Sequence, residues 1–224
     1  SAYGYRLNNT PNIDRMAKEG AIFTNACVTN SLCAPSRAVL LTGKHSFING
    51  KIDNVHAFNW DQDNFCKELQ KAGYQTAMIG KIHMDGLPQG FDYSAVLIDQ
   101  GEYYNPDFII NGVKQQKMGY VTDLTTAMTL DWIKNRDSSK PFCVLYHQKA
   151  PHREWLPSIK YIKEYTGKTY KEPATLFDDY AGRGAAAKSA EMNILKDMNW
   201  SGDNKISPDV LQELGIKDPL DWGP

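Results

Sequence analysis

The hydrophobic period of this chain changes repeatedly along its length, and that alternation restricts the fold more than any other feature. Apolar residues at Phe65, Leu69 and Ala72 keep a helical period that Gly73 stops. Tyr74 to Gly80 then alternates and turns apolar, as a strand does. Tyr120 to Arg136 returns to the helical period, with Leu124, Ala127, Met128, Leu130, Trp132 and Ile133 as its apolar positions. Pro141-Phe142-Cys143-Val144-Leu145-Tyr146 is continuously apolar, the pattern of a buried strand in a parallel sheet. Strands interleaved with helices predict an α/β fold with crossover connections. Upstream, the residues predict a helix over Pro11 to Glu19, with Thr10 as N-cap and Gly20 as stop. They also predict a strand over Ala21 to Val28 and a helix from Pro35 to Leu41.

Composition narrows the function classes. A chain of 224 residues with 42% apolar and 23% charged residues can bury a core and is not a disordered tail, a collagen rod or a coiled coil. Lys plus Arg is 25 against 26 Asp plus Glu, so the basic excess of a nucleic-acid binder is missing and no nucleic-acid partner is expected. No apolar run reaches the ~18 residues of a membrane span, and the first residues show no signal-peptide pattern. The character changes near Lys149. Residues of about 1–148 read as an α/β core and about 149–224 as a loop-rich insertion on the substrate side, with a helix over Pro208 to Leu214 and a helical stretch after Gly184. Asp178 and Asp179 read as an acidic pair at a helix N-terminus. Cys27, Cys33, Cys66 and Cys143 form no CxxC pair; Cys27 and Cys33 could be bridged, while free thiols in the core are the default for all but Cys33.

The chemistry-bearing segment is Cys33-Ala34-Pro35-Ser36-Arg37-Ala38-Val39-Leu40-Leu41-Thr42-Gly43. A cysteine stands at the start of a predicted helix, where unpaired N–H groups and the positive dipole end suit a reactive sulfur or an anion. Arg37 follows four residues later, one helical turn on, and carries a planar fork of donors suited to tetrahedral oxyanions. As an isolated pair, the residues favour the plainer reading of a buried cysteine at a helix start with a surface arginine.

The pattern extends beyond the pair. Cys-x-Pro-Ser-Arg followed by Thr-Gly resembles the signature of type I sulfatases, members of the alkaline-phosphatase-like superfamily. Thr10-Pro11-Asn12-Ile13-Asp14-Arg15-Met16-Ala17 resembles that family's entry segment, Gly80-Lys81-Ile82-His83 its Gly-Lys-Trp-His segment, and Ala150-Pro151-His152 its later Pro-His motif, all in the family's order. The resemblance implies a mixed sheet sandwiched by helices, incomplete in this chain. It also implies a sulfuric ester hydrolase in which a maturation enzyme oxidises Cys33 to formylglycine. The hydrated aldehyde attacks sulfur with one hydroxyl and releases sulfate by collapse of the other.

On that resemblance Arg37 steadies the formylglycine oxygens and the sulfate charge, and Lys81 holds a sulfate oxygen. His83 binds or deprotonates the diol, and His152 contacts sulfate and protonates the leaving oxygen. Lys44 and His45 take at most a supporting place, and His56 and His147 are read as non-catalytic. Tyr103-Tyr104-Asn105-Pro106-Asp107, Lys149 to Trp155 and Phe177 to Arg183 look like bacterial N-acetylglucosamine-6-O-sulfatases and mucin-desulfating sulfatases. This implies a sulfated carbohydrate partner of glycosaminoglycan or mucin type, with Arg153 and Trp155 lining the sugar subsite. Periplasmic or secreted location follows from the same resemblance.

The chain also departs from the family. The family's Ca²⁺ takes two adjacent aspartates before the residue matching Ser1 and two further ligands on a later strand, which leaves Cys33, as formylglycine, the metal-site position present here. The expectation is a segment of a larger sulfatase with little or no turnover of its own. A phosphate or phosphonate ester hydrolase of the same superfamily and a non-catalytic fragment that binds sulfated glycan are the competing readings.

Overall fold

A computed structural model describes residues 1–4, 7–189 and 197–215. In chain order the elements are α1 (Pro11–Glu19), α2 (Cys33–Thr42), α3 (Ser46–Asn49), α4 (Phe65–Lys71), β1 (Gln75–Lys81), β2 (Tyr93–Leu97), β3 (Asp107–Ile110), β4 (Val113–Gln116), α5 (Val121–Asn135), β5 (Phe142–His147), α6 (Ala185–Lys188) and α7 (Pro208–Glu213). The strands form one sheet in the order β4-β3-β2-β1-β5. β2, β3 and β4 are an antiparallel meander, with Val96 opposite Ile109 and Ile109 opposite Lys114. At the other side, the Gln75 N–H bonds to Pro141 at the start of β5, and Gly80 lies against the His147 carbonyl at its end. β1 and β5 therefore run parallel, and the sheet is mixed.

The chain divides into two compact units. One comprises Ser1–Ala77, Ile82–Ser94 and Asp137–Cys143. Its α2 packs on α3 and α4. Ala34, Ala38, Leu41 and Cys66 are buried there, and Phe58 meets Trp60 edge-on at 4.8 Å. α1 begins where Pro11 allows, but the Thr10 hydroxyl turns to the Asp14 carboxylate (2.9 Å) rather than to a helix N–H. α4 is capped by Asn64, whose side chain accepts from the N–H groups of Cys66 and Lys67. Its buried residue is Cys66, while Phe65 faces solvent. Cys66 lies beside Cys143, and burial pushes its thiol up to about 12. All four cysteines are free, and Cys27 is exposed rather than in the core.

Ala21 to Val28, expected as a strand, forms turns and extended chain with Ile22, Phe23 and Val28 exposed. Alternation makes a strand only where a neighbour takes up the backbone hydrogen bonds, and no described strand pairs with this segment.

The second unit comprises Met78–Lys81, Ala95–Arg136 and Val144–Pro224. Its core joins Leu97, Tyr103, Phe108 and Val121, with Leu124, Met128 and Ala150 packed around them. Full burial of Phe108 alone contributes about 2–3 kcal/mol. α5 covers this core with an unexpected face. Its buried residues are Val121, Thr125 and Thr129, whereas Leu130 is exposed. Each threonine hydroxyl donates to the carbonyl four residues back (2.7 and 2.8 Å), so the polar atoms enter the core already satisfied. β5 is partly exposed, not buried throughout, because it ends the sheet. Residues 149–171 are loop and turns, with a 3-10 turn at Ile159–Tyr161. α7 is capped by Ser207, and α6 follows Gly184, while residues 190–196 of the predicted helical stretch lie outside the described residues. Asp178 and Asp179 precede no helix; they accept from the N–H groups of Tyr180 and Ala181 as turn residues.

Candidate active site

Cys33 opens α2 rather than preceding it. It occupies the first helical position and Pro35 the third, because proline is tolerated throughout a first turn whose N–H groups lack intrahelical partners. Leu32 is the N-cap and offers no side-chain bond. The missing acceptor comes from elsewhere: the Asn54 side chain accepts from the Ala34 N–H at 3.1 Å. At the other end Gly43 terminates the helix at φ 65°, and the Asn49 amide donates to the Lys44 carbonyl at 3.0 Å. Cys33 is a free, half-buried thiol, and Arg37 is half-buried one turn on. A formylglycine at position 33 fits this setting, since the position is half-buried rather than sealed and stands at the positive end of the helix.

In the same unit, His83 carries φ 52°, in the left-handed region that costs a non-glycine residue about 1–2 kcal/mol. His45 is the N-cap position of α3 and stacks on Phe47 at 5.4 Å, and His56 pairs with Asp53 at the surface. Neither takes part in a cluster of site residues.

The second unit assembles a cationic cluster. Lys81 ends β1 at 2% exposure, and Lys149, just beyond β5, is 7% exposed. Lys81 Nζ donates to the Gln100 side-chain oxygen, and Lys149 Nζ to the Gln100 carbonyl at 3.2 Å. Lys149 Nζ also stands 4.7 Å over the Tyr103 ring. Burial holds the Lys149 ammonium below the ordinary lysine range, against the opposing pull of Glu102, Glu154 and Asp99. Tyr103 donates its hydroxyl to the His152 carbonyl (2.6 Å), and burial pushes that phenol up to about 12, so it keeps its proton.

His152 is held by its own strand of loop, with Nδ1–H donating to the Arg153 carbonyl. This leaves Nε2 as the acceptor or acid. Burial, and then the charges of Lys81, Lys149 and Arg153, hold the imidazole below its usual range, although the Arg153 carbonyl works the other way. Arg153 pairs with Asp203, whose side chain is 0% exposed, through a two-pronged contact that includes Nε at 3.0 Å. Trp155 donates Nε1–H to the Pro151 carbonyl at 2.6 Å and keeps an exposed ring.

The structure thus brings Lys81 and His152 together with Lys149 and Gln100, and puts Cys33 and Arg37 on one helix. Sequence reasoning had not assigned Lys149, Gln100, Asn54 or Asp203. Lys149 was findable, since it adjoins the Ala150-Pro151-His152 motif. The other three have no local signal. Among the described residues no group of three or more His, Cys, Asp or Glu is placed to hold a metal ion, so these residues do not by themselves fit the calcium that the resemblance implies.

The sequence profile of the Sulfatase family matches residues 1–200. The chain belongs to the sulfatase family. It is 48% identical over 221 residues to an N-acetylglucosamine-6-O-sulfatase of Bacteroides thetaiotaomicron, an alignment covering 97% of this chain and 39% of that protein. Human N-acetylglucosamine-6-sulfatase is 30% identical over 172 residues, 65% of this chain and 31% of that protein. The solved structure of BT4656 in complex with its substrate D-glucosamine-2-N,6-O-disulfate superposes with a TM-score of 0.89 at 46% identity, covering 95% of this chain and 44% of that one. The sulfatase chain thus spans well under half the length of these relatives, and the mixed α/β architecture expected from the sequence is the one observed.

Proposed function

We propose that the protein carrying this chain is a sulfuric ester hydrolase that removes the 6-O-sulfate from N-acetylglucosamine units of a sulfated glycan. The observation that carries this reading is the pair of buried ammonium groups, Lys81 and Lys149, beside the His152 imidazole. Two buried cations with a proton-transfer group are what transfer of a compact anionic group away from an alcohol oxygen requires. The substrate follows the names of the relatives: the 48%-identical protein is an N-acetylglucosamine-6-O-sulfatase, and BT4656 is bound to a 6-O-sulfated glucosamine.

In this reading a formylglycine made from Cys33 supplies, as its hydrate, a nucleophilic hydroxyl and a second one that regenerates the aldehyde. Arg37 neutralises oxyanion charge above the first turn of α2. Lys81 and Lys149 hold sulfate oxygens and stabilise the charge that develops on them. His83 takes a proton at the nucleophile, and His152 Nε2 gives one to the departing sugar oxygen. Arg153 and Trp155 contact the sugar, the first through its fork of donors and the second through its ring face. Formation of the aldehyde from a thiol is an oxidation, so a separate maturation enzyme is part of this proposal, as is export from the cytoplasm. No described helix is long and apolar enough to cross a membrane.

Two measurements test the reading. The peptide Glu19–Arg37 from the native host should be lighter than its cysteine form, and the whole matured protein should release sulfate from N-acetylglucosamine-6-sulfate. An unmodified peptide together with no sulfate release, or turnover of phosphate monoesters in place of sulfate esters, overturns it.

A further inference from the structure

We propose that Gln100 is a positioning residue that aims Lys81 and Lys149 as a matched pair at a sulfate group. The inference rests on the reading of the site given above. Gln100 uses two different acceptors for two different lysines: its side-chain oxygen takes the Lys81 ammonium and its backbone carbonyl takes that of Lys149. These three residues come from neighbouring strands. Lys81 is the last residue of β1, Gln100 follows β2, and Lys149 follows β5, with β1 between the other two in the sheet. Carboxyl ends of adjacent strands are where an α/β sheet gathers its ligand contacts.

A lysine side chain carries about 2 kcal/mol of rotamer entropy, and fixing two of them in the free protein removes that cost from substrate binding. Gln100, Asp99, Glu102 and Asp107 line a cavity of about 300 Å³. A carboxylate in place of the Gln100 amide would form an ion pair and weaken the pull of Lys81 on an anion.

The test compares wild type, Gln100→Glu and Gln100→Met in the whole matured protein. Gln100→Glu keeps the shape and adds the charge; Gln100→Met keeps the volume and removes the side-chain acceptor. Four quantities are read: kcat/KM on N-acetylglucosamine-6-sulfate, inhibition by inorganic sulfate, affinity for desulfated N-acetylglucosamine, and Tm. The expected result is a loss in kcat/KM of about tenfold or more for Gln100→Glu, and a smaller loss for Gln100→Met. A parallel weakening of sulfate inhibition is expected, with sugar affinity and Tm near wild type. Sulfate inhibition unchanged in both variants overturns the inference, as does a joint fall in sugar affinity and Tm, which marks Gln100 as merely structural. If wild type releases no sulfate, the proposed function fails by itself. Calorimetric binding of inorganic sulfate then decides for Gln100: weaker binding to Gln100→Glu supports its role, and equal or absent binding overturns it.

Discussion

Gly80 lies so close to the backbone of His147 that a Cβ built on it would stand 1.8 Å from the His147 carbonyl oxygen. The residue also holds φ 106°, which an L side chain rarely adopts. The glycine of the Gly80-Lys81-Ile82-His83 motif is therefore what lets β1 approach β5 while Lys81 is delivered at the strand end. Gly80→Ala should destabilise the protein by more than about 2 kcal/mol, measured by urea unfolding. A change of under ~0.5 kcal/mol would show that the approach relaxes freely.

The capping of α2 from outside predicts a second effect. Asn54→Ala removes the acceptor for the Ala34 N–H and should cost about 1 kcal/mol, as loss of a helix cap does. Asn54→Asp keeps an acceptor near the positive end of the helix and should be neutral or slightly stabilising in the same unfolding measurement.

Much of this was legible in the sequence, and the exceptions have physical causes. The start and stop residues of α1, the glycine stop of α2, the helical period of α5 and the strand expected over Tyr74 to Gly80 are local signals, and they located their elements, although α2 begins at Cys33 rather than Pro35. What failed depended on partners. Ala21 to Val28 alternates correctly but has no described neighbour to pair with. The buried face of α5 is threonine, because back-bonded hydroxyls pack as apolar groups, so hydropathy pointed to Leu130 instead. Within the site, motifs named Lys81 and His152. Gln100 and Asp203 escaped notice because each matters only through the charged side chain that the fold brings to it.

Asp203 supports a third prediction. Burial opposes its charge, but the Arg153 contact, the Asn199 N–H and the charge of Lys205 together outweigh it and hold the carboxyl below the usual range. A depressed carboxyl pKa stabilises the fold above the unfolded value of about 3.9, and that contribution is lost as pH falls through the folded pKa. Arg153→Ala should cost about 3 kcal/mol at neutral pH, because it strands a buried carboxylate. The double variant Arg153→Ala with Asp203→Ala should recover part of that loss in urea unfolding.

In its proposed role as the acid, His152 gives a pH dependence. Its imidazole is held down by burial and by nearby cations in the free protein. An acid with a lowered pKa loses its proton earlier, so the alkaline limb of kcat/KM should fall below the ordinary histidine range. A bound sulfate ester brings negative charge that offsets the lysines and raises the pKa again. The alkaline limb of kcat should therefore lie at higher pH than that of kcat/KM. Coincident limbs would remove His152 as the acid.

Thiol reactivity separates the cysteines. Cys27 is exposed and should be alkylated first, whereas Cys66, buried and pushed up to about 12, should resist until the protein unfolds. Peptide mass spectrometry after timed alkylation reads the order; early labelling of Cys66 would contradict it.

The loop that closes around α2 has one more consequence. Asn49, at the end of α3, donates to Thr42 in the last turn of the helix, and Asn54 holds the first turn, so both ends are gripped from the short stretch 49–54. The helix and its loop then open as one kinetic event. Amide hydrogens near Cys33 and near Gly43 should exchange with solvent at a common rate, and Cys33 inherits the slowest breathing motion of the segment that clasps it.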